Sequence, residues 1–268
     1  MAKVIALSNQ KGGVGKTTTA YNFGAELGKR GYRVLLVDFD SQGNLTKGSG
    51  IAAGKNIDDI EETIATSIDA CIAGEAISVP VYKLSAGLSI VPCNISMAKT
   101  KMELSLALAR ETMLIRCLKQ VKNDYNYIII DTAPSLDIDL INAFVASDEI
   151  IITSTPDAFS TSGTRALMKS FRQIADNLNP TLKIAGVLIT EADQRTNFAR
   201  DMIRGIKSAW ESDVKVFNTV IPLSVRVRES QAAGKTIAEY ENKNAAAVAY
   251  ALFTDEYLKE YGEDRKDA

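Results

Sequence analysis

Several residue types that carry common chemistries are absent or rare in these 268 residues. The sequence has no histidine, which excludes histidine-based acid–base catalysis and removes the commonest transition-metal ligand. Its three cysteines, Cys71, Cys93 and Cys117, are odd in number and too widely spaced for a C-x-x-C motif. No apolar run approaches the ~20 residues of a membrane span, and no signal-peptide pattern opens the chain. We therefore expect a cytoplasmic protein with free thiols.

The charge balance bounds the partners that this protein can bind. Lysine and arginine number 31 and aspartate and glutamate 33, so the formal net charge is −2. A nearly neutral chain has no overall field that attracts nucleic acid, so binding to a polyanion requires a local basic patch. With 46% hydrophobic residues, the chain can bury one sizeable core. We expect one domain over residues 1–260 and a charged tail over residues 261–268.

Short β-branched apolar runs alternate with longer helical patterns along the chain, which is typical of βαβ units. The predicted strands are Val4–Leu7, Val34–Val37, Leu88–Val91, Tyr127–Ile130, Ile150–Thr153, Ile184–Ile189 and Val214–Thr219. Helices are predicted directly after the first loop and near Met102–Val121, Ile138–Ala146, Thr164–Leu178, Thr196–Trp210 and Asn244–Tyr257. Most of the strands are apolar throughout, as expected when helices cover both faces. We predict an α/β fold with a single, mostly parallel, twisted sheet of about seven to eight strands.

The segment SNQKGGVGKTTTAYNF, Ser8–Phe23, joins the first predicted strand to the first predicted helix. A strand, a glycine-rich turn and a helix form the context of a P-loop, whose backbone N–H groups hold anionic oxygens. In that motif Lys16 reaches the phosphates and the Thr17 hydroxyl binds Mg²⁺. The strict G-x-x-x-x-G-K-[ST] pattern fails because Gln10 occupies the position of the first glycine. The residues expected around the phosphates are Gly12, Gly13, Val14, Gly15, Lys16, Thr17 and Thr18.

Three aspartates follow apolar strands. Asp38 and Asp40 lie in RVLLVDFDSQGNLT, and Asp131 lies in YNYIIIDTAPSL. In open parallel sheets ligands gather outside the carboxyl ends of the strands, and an aspartate at such an end is the usual Walker B acid near Mg²⁺. Each aspartate alone also fits a helix cap or a turn. Together with the P-loop, the three indicate a Mg²⁺–nucleotide site.

The combination of KGGVGKTTT, DFDSQGN, IIIDTAPSL and IPLSVRVRESQAAGKTI resembles the ParA/MinD group of deviant Walker A ATPases, especially small ParA-type DNA-segregation ATPases. The resemblance runs from Lys3 to about Tyr257. It implies a P-loop NTPase fold, ATP and Mg²⁺ as ligands, and a homodimer in the ATP state. With no histidine in the chain, hydrolysis then depends on positioning and electrostatics, and it is expected to be slow until a partner completes the site.

The same resemblance assigns roles to individual residues. It implies that Lys11 reaches across the dimer to the phosphates bound by the other subunit, where a cation offsets the repulsion between two nucleotides. It also implies that Asp40 orients the attacking water and that Asp38 and Asp131 support Mg²⁺ or its waters. The loop at Ile221-Pro222 is expected near the adenine.

A basic region lies in the last third of the chain. Residues 165–235 contain twelve Lys or Arg and seven Asp or Glu, a net charge of +5 that leaves −7 elsewhere. Charge alone also fits a solvated helix face, but the resemblance implies non-specific DNA binding through Arg195 and Arg226. Leu223 stands where relatives often have arginine, so the patch is expected to be weaker or shifted. The candidate patch is extended by Arg200, Arg204 and Arg228.

Three functions remain open at this point. The first is nucleoid-associated partition of a plasmid or chromosome with a ParB-like partner, by an ATP-dependent sandwich dimer. The second is a MinD-like positioning ATPase that acts on a membrane or a protein cargo, although the acidic ending YLKEYGEDRKDA does not favour membrane anchoring. The third is a cargo-positioning relative without a centromere partner. We expect no helix-turn-helix domain, because the first strand begins three residues into the chain, and no iron–sulfur cluster of the kind found in nitrogenase-type iron proteins.

Overall fold

The structure, a computed structural model, describes residues 1–52, 54–156, 161–210 and 214–262 and omits the side chains of residues 161–165. Its strands are β1 (Lys3–Ser8), β2 (Val34–Phe39), β3 (Tyr82–Ser85), β4 (Leu88–Val91), β5 (Tyr127–Thr132), β6 (Glu149–Ser154), β7 (Lys183–Ala192) and β8 (Val216–Pro222). They form one eight-stranded sheet in the order β3-β4-β2-β5-β1-β6-β7-β8. The described neighbours are parallel except β3 and β4, which are antiparallel. The predicted fold class is confirmed.

Helices lie on both faces of this sheet. They are α1 (Lys16–Lys29), α2 (Asn44–Gly48), α3 (Ile64–Ala73), α4 (Ser96–Leu106), α5 (Met113–Leu118), α6 (Ile138–Ala146), α7 (Thr161–Asn177), α8 (Asn197–Trp210), α9 (Val225–Ala232), α10 (Ile237–Tyr240) and α11 (Ala245–Tyr261). Short 3₁₀ turns cover Ile57–Asp59, Arg110–Thr112 and Lys122–Asp124. Among the described residues, no helix has both the length and the hydrophobicity to cross a membrane.

The core has one hydrophobic cluster on each face, because alternate residues of the central strands point to opposite sides. Leu36 and Ile129 belong to the cluster under α1 and α11, whereas Leu35 and Ile128 belong to the cluster under α3 to α6. Helix α1 lies very close to the sheet at Gly24, where an added Cβ would be 2.6 Å from Leu36 Cδ2. This close contact fixes the start of α1, and with it the glycine-rich loop, against the central strands.

One predicted helix is wrong. The segment Met102–Val121 is two helices, because Ala109 adopts a left-handed φ of 52° between them. The Asn142 side chain holds this break, since its amide donates to Arg110 O at 2.8 Å and its oxygen accepts from Leu114 N at 3.1 Å. The apolar spacing was misleading because Leu106 and Leu108 are exposed.

One strand was not predicted, and the last helix ends later than predicted. Strand β3 was missed because its four residues, YKLS, lie at the sheet edge and alternate between half-buried and exposed. Helix α11 continues through Tyr261, which the sequence placed in the tail, and the Tyr261 hydroxyl donates to Ala185 O at 2.6 Å. Residues 263–268 of the predicted tail lie outside the described residues.

Candidate nucleotide-binding site

A cavity of about 670 Å³ lies at the carboxyl ends of the parallel strands, where open α/β sheets bind ligands. It brings together the loop after β1, the residue Asp40 after β2, the end of β5 and the end of β8. Its lining residues are Gly12, Gly13, Val14, Gly15, Lys16, Thr17, Thr18, Asp40, Asn44, Lys47, Gly48, Thr132, Pro134, Thr190, Glu191, Ile221, Pro222, Leu223, Ser224, Val227, Arg228, Gln231, Ala232 and Tyr250.

The loop after β1 turns back on itself through two left-handed glycines, Gly13 at φ 70° and Gly15 at φ 73°, which only glycine adopts without strain. Gly15 also caps α1 and, lacking a side chain, leaves the first backbone N–H groups of that helix without a side-chain acceptor. Such N–H groups bind anions. On the far side, Thr190 Oγ1 donates to Val14 O at 3.0 Å and ties the loop to β7.

Lys16 is folded over this loop. Its Nζ donates to Asn9 O at 3.1 Å and to Lys11 O at 3.3 Å, and the residue is only 7% exposed. Burial lowers the pKa of Lys16, while the carboxylates of Asp131 and Asp40 act in the opposite direction. The ammonium group therefore lies where a bound anion stabilises its charged form.

Asp131 is a buried carboxylate beside a second one. It is the register partner of Asp38 across the parallel pair β2 and β5, and both residues are at most 1% exposed. Burial, followed by the charge of Asp38, raises the pKa of Asp131 to about 8. Neither carboxylate oxygen of Asp131 has a hydrogen-bond partner among the described residues. Because unpaired buried carboxylates are costly, this one fits a cation bound between it and the phosphate loop.

Asp38 occupies a different environment from Asp131, although burial also raises its pKa, to about 7. Its Oδ2 accepts hydrogen bonds from Thr46 N at 2.8 Å and Thr46 Oγ1 at 2.7 Å, and its Oδ1 accepts one from Asp40 N at 3.3 Å. These bonds hold α2 at the cavity, where Asn44 and Lys47 belong to the lining. Asp38, like Asp131, is not among the described residues that line the cavity, so both carboxylates lie behind its wall.

Asp40 lies in the wall itself and is 8% exposed. The turn that follows orients it, because Asp40 Oδ1 accepts from Gln42 N at 3.0 Å and Asp40 O accepts from Gly43 N at 2.8 Å. Gly43 has a φ of 59°, and an added Cβ there would be 2.5 Å from Ile57 Cδ1. A water molecule inside the cavity therefore reaches Asp40 directly, as it does Glu191, the other carboxylate among the described lining residues.

Lys11 is exposed and, unlike Lys16, is not among the described residues that line the cavity. Its backbone N–H donates to Asn9 Oδ1 at 3.0 Å, and the Asn9 amide donates to Thr153 O at 2.6 Å. Asn9 therefore fixes the start of the loop against β6. The two lysines of the loop differ in placement: one lies in the chain's own cavity and the other on its surface.

The chain is similar to proteins of known families along most of its length. A family profile described as AAA domain matches residues 2–184. The sporulation initiation inhibitor protein Soj of Bacillus subtilis (strain 168) is 39% identical over 252 residues, covering 93% of this chain and 96% of Soj. The chromosome partitioning protein ParA of Caulobacter vibrioides is 33% identical over 260 residues, covering 96% of this chain and 94% of ParA. The chain belongs to the ParA/Soj family of ATPases.

A solved structure agrees with this assignment at the level of the fold. Cobyrinic acid a,c-diamide synthase from Mycobacterium smegmatis, determined with bound ADP and magnesium, superposes with a TM-score of 0.82 at 29% identity. The match covers 99% of this chain and 98% of that one. The fold of this ParA/Soj-family ATPase is therefore shared along almost its whole length.

The α8 region of this ParA/Soj-family ATPase presents three of the predicted DNA-binding arginines on its surface. Arg195 forms a two-point ion pair with Asp193, at 2.8 and 2.9 Å. Arg204 pairs with Asp201, and Arg200 donates to backbone carbonyls, Thr196 O among them. All three arginines are exposed. Among the apolar residues of α8, Ile206 is buried but Phe198 is 65% exposed.

The other two predicted arginines, Arg226 and Arg228, lie on opposite sides of α9. Arg226 is exposed and pairs with Glu229 at 2.6 Å and with Glu241 at 3.6 Å. Arg228 is also exposed but belongs to the lining of the nucleotide cavity. Gln231, one turn further along, donates from Nε2 to Thr18 Oγ1 at 2.8 Å. This wall of the cavity was not predicted, because the segment VRVRESQA has no clear amphipathic pattern.

Proposed function

We propose that this ParA/Soj-family ATPase closes an ATP-dependent sandwich dimer, binds nucleoid DNA non-specifically, and partitions a plasmid or chromosome with a ParB-like partner. The observation that carries the proposal is the different placement of the two loop lysines. Lys16 lies inside the cavity, and Lys11 lies exposed outside it. A cation held on the rim by the phosphate loop suits the phosphates of a second nucleotide brought by a second copy.

The nucleotide site accounts for the buried charges that the cavity contains. ATP with Mg²⁺ is the expected ligand, and the M. smegmatis protein was solved with an ATP analogue and magnesium as well as with ADP. Backbone N–H groups from Gly12 to Thr18 would hold the phosphates. The Thr17 hydroxyl and Asp131 would hold Mg²⁺ or its waters, with Asp38 behind them. The metal would neutralise phosphate charge as the bond to the leaving group breaks.

On this proposal, hydrolysis depends on the orientation of the attacking water and of the charged side chains around the phosphates. Asp40 would accept a hydrogen bond from the attacking water, and its own backbone turn holds it for that task. Lys16 from one subunit and Lys11 from the other would stabilise the charge on the transferring phosphoryl group. Ile221 and Pro222, at the end of β8, would contact the adenine.

The DNA-binding surface of the proposal consists of Arg195, Arg200, Arg204 and Arg226. Each is exposed, and its partners are acidic side chains or backbone carbonyls, which phosphate groups can replace. Dimerisation doubles this surface, so ATP controls DNA affinity through avidity. The ParB-like partner then releases the protein from DNA by stimulating hydrolysis, so the ATPase associates with the nucleoid in its ATP state.

Retention of the purified protein on DNA tests the proposal. We expect retention with ATP but neither with ADP nor without nucleotide, and we expect it to fall as salt rises. Lys11→Ala should still bind nucleotide but fail to dimerise, and Arg226→Ala should dimerise but bind DNA poorly. Lys243→Ala, which removes an exposed lysine before α11, is the control. Equal retention in the three nucleotide conditions, or ATP-dependent sedimentation with liposomes instead of DNA, would contradict the proposal.

A further inference from the structure

Arg228 differs from the other arginines of the predicted DNA-binding patch. Arg195, Arg204 and Arg226 each pair with a nearby carboxylate, and Arg200 donates to backbone carbonyls. Within the part of the chain that the structure describes, the Arg228 guanidinium has no hydrogen bond or ion pair. It is the member of the patch that lines the nucleotide cavity.

The geometry of α9 separates Arg228 from the DNA-binding surface. Successive residues of an α-helix are about 100° apart around its axis, so Arg226 and Arg228 are about 200° apart and point to opposite sides. Val227, Arg228, Gln231 and Ala232 form one continuous side, and all four line the cavity. Arg226 and its partner Glu229 lie on the other side, outside the lining.

The side of α9 that carries Arg228 is anchored to the phosphate loop. Gln231 donates to Thr18 Oγ1 at 2.8 Å, and Thr18 directly follows the Thr17 of the loop. Residues three apart on a helix lie on the same face, so Arg228 is the neighbour of Gln231 along this wall. The hydrogen bond from Gln231 therefore fixes the distance between Arg228 and the start of α1.

Three cationic side chains are among the described residues that line the cavity: Lys16, Lys47 and Arg228. The ammonium groups of the two lysines already donate to backbone carbonyls, Lys16 to Asn9 O and Lys47 to Gln42 O. Arg228 alone of these three has all its donors available. A planar guanidinium with five donors is suited to hold a phosphate by two hydrogen bonds.

We propose that Arg228 binds a phosphate group of the nucleotide in its own subunit and is not a DNA contact. This inference rests on the proposed nucleotide site but not on the proposed DNA partner. The α9 helix then carries a DNA-binding arginine on one side and a nucleotide-binding arginine on the other.

Calorimetric titration of the full chain with ADP and Mg²⁺, in the absence of DNA, tests the proposal. ADP avoids the dimer that ATP is expected to form. We expect Arg228→Ala to raise the Kd for ADP about tenfold or more, as lost charge-assisted hydrogen bonds do, and Arg228→Gln to raise it by a similar factor. Arg172→Ala, which removes an exposed arginine from α7, should leave the Kd unchanged. DNA retention of Arg228→Ala at saturating ATP should keep the salt dependence of the wild type.

Each alternative has its own signature. An unchanged Kd for ADP in Arg228→Ala, together with a salt slope reduced by about one, would overturn the proposal and return Arg228 to the DNA surface. A Kd that rises in Arg228→Ala but not in Arg228→Gln would also overturn it, because it indicates stacking of the side chain on the base. Failure of the wild type to bind DNA at all would refute the proposed function while leaving the ADP result valid.

Discussion

Replacement of Asp131 by asparagine should stabilise the nucleotide-free protein at alkaline pH. The folded-state pKa of Asp131 is raised to about 8 by burial and by Asp38, from the usual value of 3.8. A carboxyl group whose pKa is raised on folding binds protons more tightly in the native state. Stability is therefore lost as pH rises from about 4, through the folded pKa, because the native state then holds a buried charge that Thr17 and Lys16 offset only in part.

The size of the effect follows from the same shift. One pKa unit corresponds to about 1.4 kcal/mol. The shift of Asp131 therefore limits the loss in free energy of unfolding to several kcal/mol. Relaxation and water entry around the site reduce it, and we expect about 2 kcal/mol of stabilisation in Asp131→Asn at pH 8. For a chain of this size that corresponds to a rise in Tm of about 4–8 °C. At pH 5 the native carboxyl is still protonated but the unfolded one is already ionised, so the difference should be present but smaller, roughly a quarter of that at pH 8.

Thermal unfolding in EDTA at pH 5, 6, 7 and 8 measures this difference. The Tm of Asp131→Asn minus that of the wild type should grow steadily with pH, while ATP turnover of the variant should be lost. Asp124→Asn changes an exposed aspartate and should give no pH-dependent difference. If Asp131→Asn instead lowers the Tm by the same amount at every pH, the carboxylate is not a buried, unsatisfied charge and the argument for a cation beside it fails.

Three other substitutions test separate parts of the structure. Lys16→Ala should abolish tight nucleotide binding in calorimetry, and an unchanged affinity would mean that the phosphates bind elsewhere. Thr46→Val removes a donor to Asp38 Oδ2 and should cost about 1–3 kcal/mol in urea unfolding; the same ATP turnover as in the wild type would argue against a role for α2 in holding the site. Gly24→Ala places a methyl group against Leu36 and should cost about 1–3 kcal/mol, and an unchanged midpoint in urea would show that α1 can move away from the sheet.

The strands and the phosphate loop were readable from the sequence because local pattern decides them. Short β-branched apolar runs such as Ile128–Ile130 favour a strand buried on both faces, and the left-handed turn of the loop requires Gly13 and Gly15. Parallel strands have their carboxyl ends at the same edge of a sheet. An aspartate that follows such a strand is therefore expected near the glycine-rich loop after β1. Asp38 and Asp131 are register partners near the ends of β2 and β5, and Asp40 follows β2; their roles at the site stay predictions.

The features that were not predicted depend on tertiary contacts, which have no signature in the local sequence. The break at Ala109 depends on Asn142, which is 33 residues away in the chain, and β3 depends on pairing with β4. The position of Arg228 depends on the docking of α9 onto α1 through Gln231. A charge count of the region cannot separate Arg228 from Arg226, because both are exposed arginines two residues apart.

The oligomeric state with nucleotide tests the central claim most directly. Light scattering after size-exclusion chromatography should find the wild type as a dimer in a non-hydrolysable ATP analogue with Mg²⁺, and as a monomer in ADP. Lys11→Ala should remain a monomer in the analogue although calorimetry finds it saturated. A wild type that stays monomeric at saturation, or a Lys11→Ala variant that dimerises as well as the wild type, would contradict the account.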